Sequence, residues 1–534
     1  MNPNAWPNRR EFLSRAWNGI GTIGLSGLLA DELRASTGNK FDPFATQLTH
    51  FPRKAKNCIF LFMQGGVSQM DSFEHKPKLR ELHGKQLSRI PQISGELQGR
   101  LSFPHVTIGS PFEFAQHGQS GRWLSDRFPH LSQHVDDLAF IHGIKTDNQN
   151  HGPSTLHVNT GSQFPGSPSV GSWISYGLGS GNRNMPGYVV IQDPRGAPVN
   201  GAAIWSNGFL PAAYQGTLLR PTGTPILNLA SPKGVSRQRQ RREMDALQWL
   251  NQRHLARRGG DSELEARISA YELAFRMQTE APELMDISNE PEHVKNLYGL
   301  DNGTTSAFGR QCLLARRLVE SGVRHTLLVH GVQISSSSWD DHGNVKGGMI
   351  RHCAEVDKPV SGLLADLKQR GLLDETLVVW ASEMGRTPFK NGGMSGNPGR
   401  EHNSWALTMW MAGGDVKGGT TAGATDEFSL RGIGETIHVR DVHATILDLM
   451  GLNQENVNFK HAGRIRKLTD IGGRILKEVV ACSRPGARLH PTLGIGLPHS
   501  VVAMAQPAQS RLAVAGGHLA GTIWTDRRGE PSVR

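Results

Sequence analysis

Residues Cys58 to Met63 read CIFLFM, an unbroken apolar run, and Gly65-Gly66 follow at once. A strand with one wet face alternates apolar and polar residues. A run that is apolar at every position has to be buried on both faces. Similar runs recur at Tyr188–Ile191, Thr326–Val329, Leu377–Ala381 and Leu407–Met411. Helical patterns lie among them, over Phe308–Ser321, Met349–Gln369 and Val442–Met450. Buried strands alternating with helices predict an α/β fold, a doubly wound and mostly parallel sheet with helices on both faces. In such a fold ligands bind beyond the carboxyl ends of the strands, so the loops that follow each run are where chemistry is to be sought. A chain of 534 residues suits one large domain with insertions, or two smaller ones.

The ends of the chain read differently from its middle. Asn8-Arg9-Arg10-Glu11-Phe12-Leu13 precedes a mild, glycine-diluted apolar run from Ile20 to Ala30. Paired arginines before such a segment are the pattern of a twin-arginine export signal, and the run is short for a membrane span. Residues 1–50 are therefore expected to be signal and linker, with a periplasmic or secreted mature protein and no membrane span. Residues 51–480 are expected to form the α/β domain. A polar, arginine-rich helical insertion at about 217–291 is expected to cover or flank the pocket. Residues 481–534, rich in Pro, Gly, Ala and Arg, are expected to be a loosely ordered tail. Cys58, Cys312, Cys353 and Cys482 form no CxxC pair, which argues against a zinc ribbon or a dithiol site. The formal net charge is +11, partly from Arg237, Arg239, Arg241 and Arg242. Aromatic residues do not interleave with these arginines, so no nucleic-acid partner is expected.

Six polar motifs follow the apolar runs or open helices. Gln64-Gly65-Gly66 leads to Asp71, a carboxylate that suits a metal. His151-Gly152-Pro153-Ser154-Thr155 reads as a helix N-terminus, whose free amides bind anions. Trp339-Asp340-Asp341-His342 puts carboxylate and imidazole close enough to share a cation. Ser382-Glu383-Met384-Gly385-Arg386 places a glutamate at a strand end, where burial demands a partner, either a metal or Arg386. Gly399-Arg400-Glu401-His402 sits in a glycine-rich loop. Asp441-Val442-His443 opens a helix, with Asp441 the simplest N-cap.

Three segments carry a resemblance. The stretch from Glu355 through Gly371-Leu372-Leu373-Asp374-Glu375-Thr376-Leu377-Val378-Val379-Trp380 to Gly385 resembles the sulfatase helix–strand unit. Asp441 to Gly451 resembles a sulfatase helix, and His151 to Gly161 resembles the sulfatase signature. With the export signal and the Trp-Asp and Glu-x-Gly-Arg motifs, the chain is similar to the DUF1501 family, exported sulfatase-like proteins of unknown function in the alkaline-phosphatase superfamily. The resemblance spans roughly residues 8 to 480 and implies an alkaline-phosphatase/sulfatase-like sheet. It also exposes departures. Gln64 stands where the superfamily has an Asp metal ligand, His151 where sulfatases have the nucleophile, Thr155 in place of an Arg, and Glu383-Met384 in place of a metal-binding pair. A formylglycine mechanism is therefore excluded.

Two functions follow as expectations. One is an exported metal-dependent hydrolase of sulfate or phosphate esters, small or on a glycan. A divalent cation, Zn or Mn rather than Ca, would be held among Asp71, Asp340, His342, Glu383 and His402. His151 and Arg386 would be catalytic, and Ser154, Thr155 and Arg400 would bind the anion. The other is a non-catalytic binding or scaffold protein on the same fold, with a glycan or a partner protein as its ligand.

Overall fold

The structure is a computed structural model that describes residues 44–87, 105–220, 235–257, 262–333, 337–391 and 398–481. The expected export signal and tail lie outside these residues.

The sheet strands, in chain order, are β1 (Asn57–Met63), β2 (Leu138–Lys145), β3 (Tyr188–Ile191), β4 (Thr217–Leu219), β5 (His325–His330) and β6 (Thr376–Ala381). After β7 (Gly385–Asn391) and β8 (Gly399–Asn403), which form a separate antiparallel hairpin, come β9 (Leu407–Ala412), β10 (Thr421–Ala422) and β11 (Ile437–His438). The order across the main sheet is β10-β2-β9-β6-β1-β5-β3-β4, with β11 also paired to β2. Every pairing is parallel except the two made by β9, which runs against β6 and β2. The sequence shows that Leu407–Met411 is a buried strand but not that it is reversed.

The unbroken apolar pattern of β1 has the expected cause. Ile59, Leu61 and Met63 enter one hydrophobic core, and Cys58, Phe60 and Phe62 enter another on the opposite face. Helices α1 (His151–Thr160), α2 (Val170–Leu178) and α7 (Val439–Leu449) supply Leu156, Trp173 and Ile446 to the second core. The first core is covered by α5 (Ser306–Glu320) and α6 (Val345–Gln369), through Leu313, Leu314, Val360 and Leu363. This is the doubly wound, mostly parallel α/β arrangement the sequence predicts. Burying one such Leu or Phe side chain stabilises the fold by about 1.5–3 kcal/mol.

The arginine-rich stretch forms α3 (Arg237–Arg257) and α4 (Ser262–Met285). Leu273, Met277, Leu284 and Met285 of α4 join the first core, and Arg317 of α5 donates to Leu284 O at 2.7 Å. On α3, Arg239 and Arg241 pair with Glu243 and Asp245 one turn on, so these two arginines have intrahelical acids.

Register places the strand ends side by side. Met63 stands opposite His330, and Phe62 opposite Ala381. Because β9 is reversed, its first residue, Leu407, lies opposite Ile144 near the end of β2. The segments at 64–71, 146–151, 331–333, 337–344, 382–386 and 402–406 therefore emerge at one edge of the sheet.

Candidate metal centre

Glu383 leaves the end of β6 completely buried. A carboxylate there requires hydrogen bonds on both oxygens. Gly65 N–H donates to Oε1 at 2.8 Å and lies 3.0 Å from Oε2. Gln64 Nε2 donates to Oε1 at 2.8 Å, and Ser382 Oγ donates to Oε2 at 3.2 Å. The chain can pass this close only because residue 65 is glycine: its φ is 121°, and a Cβ would stand 2.4 Å from Trp339 N. The fourth partner of Glu383 is His151 Nδ1, at 2.7 Å. With Oε1 as the acceptor, Nδ1 carries the proton. The other ring nitrogen, Nε2, is buried without a hydrogen-bond partner, 3.2 Å from Asp340 Oδ2. A carboxylate that fixes one histidine nitrogen so that the other presents its lone pair is the usual support of a metal-ligating imidazole.

Three more side chains meet there. His342 Nε2 lies 2.9 Å from His402 Nε2. The two nitrogens are 3.0 Å and 3.1 Å from the same oxygen, Asp340 Oδ1. One donor atom from each of His151, Asp340, His342 and His402 falls within 4.8 Å of all the others. Four ligands about 2.0 Å from a tetrahedral ion stand about 3.3 Å apart, close to these separations. Asn391 Nδ2 lies 2.7 Å from His342 Nδ1, so Nδ1 is the acceptor and a cation at Nε2 has to displace the proton that the neutral ring carries there. Burial opposes ionisation of Asp340, but His151, His342, His402 and Arg386 outweigh it and hold the carboxyl far below its usual range. Burial likewise favours neutral His151, yet Asp340 and Glu383 raise its pKa to about 9. His402 is shifted down, chiefly by burial.

Sequence reasoning gave other residues roles at this site that their partners in the structure do not leave them. Asp71 and Arg400 are both completely buried and form a forked ion pair, Nε to Oδ2 at 2.6 Å and Nη2 to Oδ1 at 3.0 Å. Ser68 Oγ donates to the same carboxylate at 2.5 Å. Asp71 is thus occupied by Arg400, and Arg400 by Asp71, Ile108 O and Thr387 O. Glu383 is not among the four clustered ligands; its oxygens are taken by Gln64, Gly65, Ser382 and His151. Arg386, expected to partner Glu383 and to be catalytic, instead donates to Asp340 Oδ1 at 2.6 Å, to Gly66 O at 2.9 Å and to Gly65 O. Ser154 Oγ donates to Asn148 O at 2.5 Å, and Thr155 is fully buried. The N-cap of α7 is His438 rather than Asp441. Asp441 is the third residue of the helix and accepts from His438 N–H at 2.8 Å, completing a capping box. His443 is a core residue bonded to Val158 O at 2.7 Å.

Two other groups of histidine and carboxylate lie among the described residues, and one histidine in each is tied into its own hydrogen bonds. His330 Nδ1 accepts from Trp339 Nε1 at 3.1 Å, so its Nε2 carries the proton that meets Glu355 at 2.7 Å. His438 Nδ1 accepts from Arg440 N–H at 3.3 Å, so its Nε2 donates to Asp147 at 2.8 Å. In both, the hydrogen bonds fix protons on the nitrogens that face the carboxylate.

The fold and the clustered ligands define an α/β protein with a candidate metal centre at the carboxyl edge of its sheet. Residues 55–480 match the family model described as "Protein of unknown function (DUF1501)", and the chain belongs to that family. No curated protein matches it. Similar solved structures include the alkaline phosphatase from the Antarctic bacterium TAB5, at 10% identity and TM-score 0.33, covering 75% of this chain and 99% of that one. A protein of the alkaline phosphatase superfamily from Vibrio parahaemolyticus matches at 11% identity and TM-score 0.33, covering 85% and 79%. The lipoteichoic acid synthase from Listeria monocytogenes matches at 8% identity and TM-score 0.27, covering 82% and 81%. Likeness at this level carries no argument about chemistry. No helix among the described residues is long and apolar enough to cross a membrane.

Proposed function

We propose that this protein is an exported, metal-dependent hydrolase of sulfate or phosphate esters, with one divalent cation held by His151, Asp340, His342 and His402. The observation that carries the metal is the convergence of one donor atom each from His151, Asp340, His342 and His402 within 4.8 Å of one another, with Glu383 holding His151 Nδ1–H. Three imidazoles and one carboxylate suit a transition ion such as Zn²⁺ or Mn²⁺ better than Ca²⁺, which prefers an all-oxygen shell. A cation there would polarise an ester oxygen and acidify a water. The remaining work belongs to the chain. Glu383 sets the proton of His151, and Arg386 ties Asp340 to the carbonyls of Gly65 and Gly66. The start of α1, at His151, adds the positive end of a helix dipole for an anionic substrate.

One observation favours the second reading, a binding protein without turnover. Arg386 and Arg400 both spend their guanidinium groups inside the protein, so neither is free to clamp an anion. Metal analysis of the purified protein followed by a screen of aryl sulfates, phosphate monoesters and phosphate diesters separates the two. Stoichiometric metal, lost in His402→Ala, with turnover of one ester class is the expected result. Metal without turnover would establish the binding reading. Metal-free protein with His402→Ala unaltered would remove both the cation and the hydrolase.

A further inference from the structure

The clustered imidazoles are not equally prepared for a cation. Glu383 already holds His151 Nδ1–H, which leaves Nε2 as the lone-pair nitrogen. His342 is held in the opposite sense, and the cause lies outside the cluster. Asn391, the last residue of β7, has its Nδ2 2.6 Å from Glu401 Oε2 and 2.7 Å from His342 Nδ1. A carboxylate only accepts, so Glu401 fixes which end of the amide is the NH₂. That NH₂ also donates to Nδ1, and the neutral ring keeps its proton on Nε2, between Asp340 and His402. Glu401 itself, in β8, stands behind both rings. Its Oε1 accepts from the His402 backbone N–H at 2.8 Å, and lies 3.6 Å from His342 Nδ1 and 4.0 Å from His402 Nδ1. Both separations are within about 1 Å of hydrogen-bond range. The Glu401 side chain is 53% exposed, so it can turn at little cost.

A carboxylate behind the ring is a usual partner for the outer N–H of a metal-ligating imidazole. Resting on the cation reading above, we infer that Glu401 is a positioning residue of the centre, and that Asn391 works against it. With an ion at His342 Nε2, the ring's proton sits on Nδ1, and Glu401 replaces Asn391 as the partner of that nitrogen. The ring gives one proton from Nε2 to water and takes one from water at Nδ1, so its charge does not change. The Asn391 amide, a donor facing a donor once Nδ1 is protonated, has to turn away. The two residues sit side by side on one hairpin and push the same ring toward opposite tautomers.

Two substitutions should therefore move metal affinity in opposite directions. In competition between the full chain and a chromophoric chelator for Zn²⁺, Glu401→Gln should weaken binding about tenfold or more. Asn391→Ala removes the donor that keeps the proton on Nε2, and should tighten binding about threefold to tenfold, the net worth of one such hydrogen bond. If Asn391 only braced the ring, its loss would weaken binding instead. Long-range ¹H–¹⁵N spectra of the unaltered, ¹⁵N-histidine-labelled protein keep the test independent of variant folding, with His342→Gln assigning the signal. His342 should carry its proton on Nε2 without metal and on Nδ1 with Zn²⁺ bound. Weaker binding in Asn391→Ala, unchanged binding in Glu401→Gln, or the same tautomer with and without Zn²⁺ would overturn the proposal and leave the ion in place. A parent protein that binds no Zn²⁺ would remove the cation reading itself, and this inference with it.

Discussion

Replacing Glu383 with glutamine changes almost no volume and tests the centre at the bond on which its reading depends. The carboxylate accepts from Gly65 N–H, Gln64 Nε2, Ser382 Oγ and His151 Nδ1. An amide has one acceptor oxygen and one NH₂. If the NH₂ faces Gly65, the His151 bond survives but loses its charge. If it faces His151, Nδ1 must become the acceptor, and the proton moves to Nε2, where the lone pair is needed. Either way His151 becomes a poorer ligand. Removing such a supporting group costs about 10–100-fold in metal affinity, or about 1.4–2.7 kcal/mol. The metal-free protein should also lose about 1–3 kcal/mol of stability, because a donor now faces donors in a completely buried place. Competition with a chromophoric chelator measures the first quantity, and denaturant unfolding in excess chelator measures the second. A Glu383→Gln protein that binds the ion within twofold of the parent would refute the proposed role of Glu383, even if its stability falls.

Three further outcomes are expected. His151, raised to about 9 by Asp340 and Glu383 against the opposing effect of burial, is protonated in the metal-free protein at neutral pH. Metal must displace that proton, so affinity should rise with pH up to about 9, and calorimetric heats at pH 7.5 should vary with the ionisation enthalpy of the buffer; heats that ignore the buffer would contradict this. Asp71→Ala or Arg400→Ala leaves its partner charged and buried and should cost about 3–5 kcal/mol in unfolding experiments, with metal stoichiometry unchanged in the folded protein. Arg9→Lys together with Arg10→Lys should hold the protein in the cytoplasm, as followed by cell fractionation; unchanged export would end the twin-arginine reading.

The sheet was legible wherever burial on both faces left an unbroken apolar run, as in β1, β5 and β6. It was not legible in β2, where His142 and Gly143 interrupt the pattern. His142 is tolerated there because its ring packs parallel to Phe140 at 5.8 Å and its Nδ1 meets Thr408 Oγ1 at 3.0 Å. Local sequence also cannot say which polar residue answers which. Asp71 and Arg400 are 329 positions apart, and nothing near either announces the other. Glu383 looked like a ligand because it follows a buried strand, but its oxygens are used by a neighbouring loop and a helix start. The signal that could have suggested this was Gln64, an amide donor at the end of the adjacent strand. Asp441 looked like an N-cap because the actual cap, His438, is not among the residue types that ordinarily cap helices.

The reversed direction of β9 connects fold to site. A parallel strand in that slot would send its leading loop to the opposite edge of the sheet. Running backwards, β9 begins at the carboxyl edge, and the β7–β8 hairpin that precedes it stays there. Within the hairpin Arg386 lies opposite His402, so the same pairing that aligns the strands sets the guanidinium beside a ligand. From there Arg386 reaches the carbonyls of Gly65 and Gly66 after β1, the carbonyl of Arg400 in β8, and the carboxylate of Asp340 after β5. A lysine has a single nitrogen and could not serve all of these acceptors. The arginine that the sequence suggests as catalytic therefore positions the loop that carries Asp340. On the proposed reading, the positive charge offered to an anion would come from the cation and the start of α1, which makes the metal the decisive test of that reading.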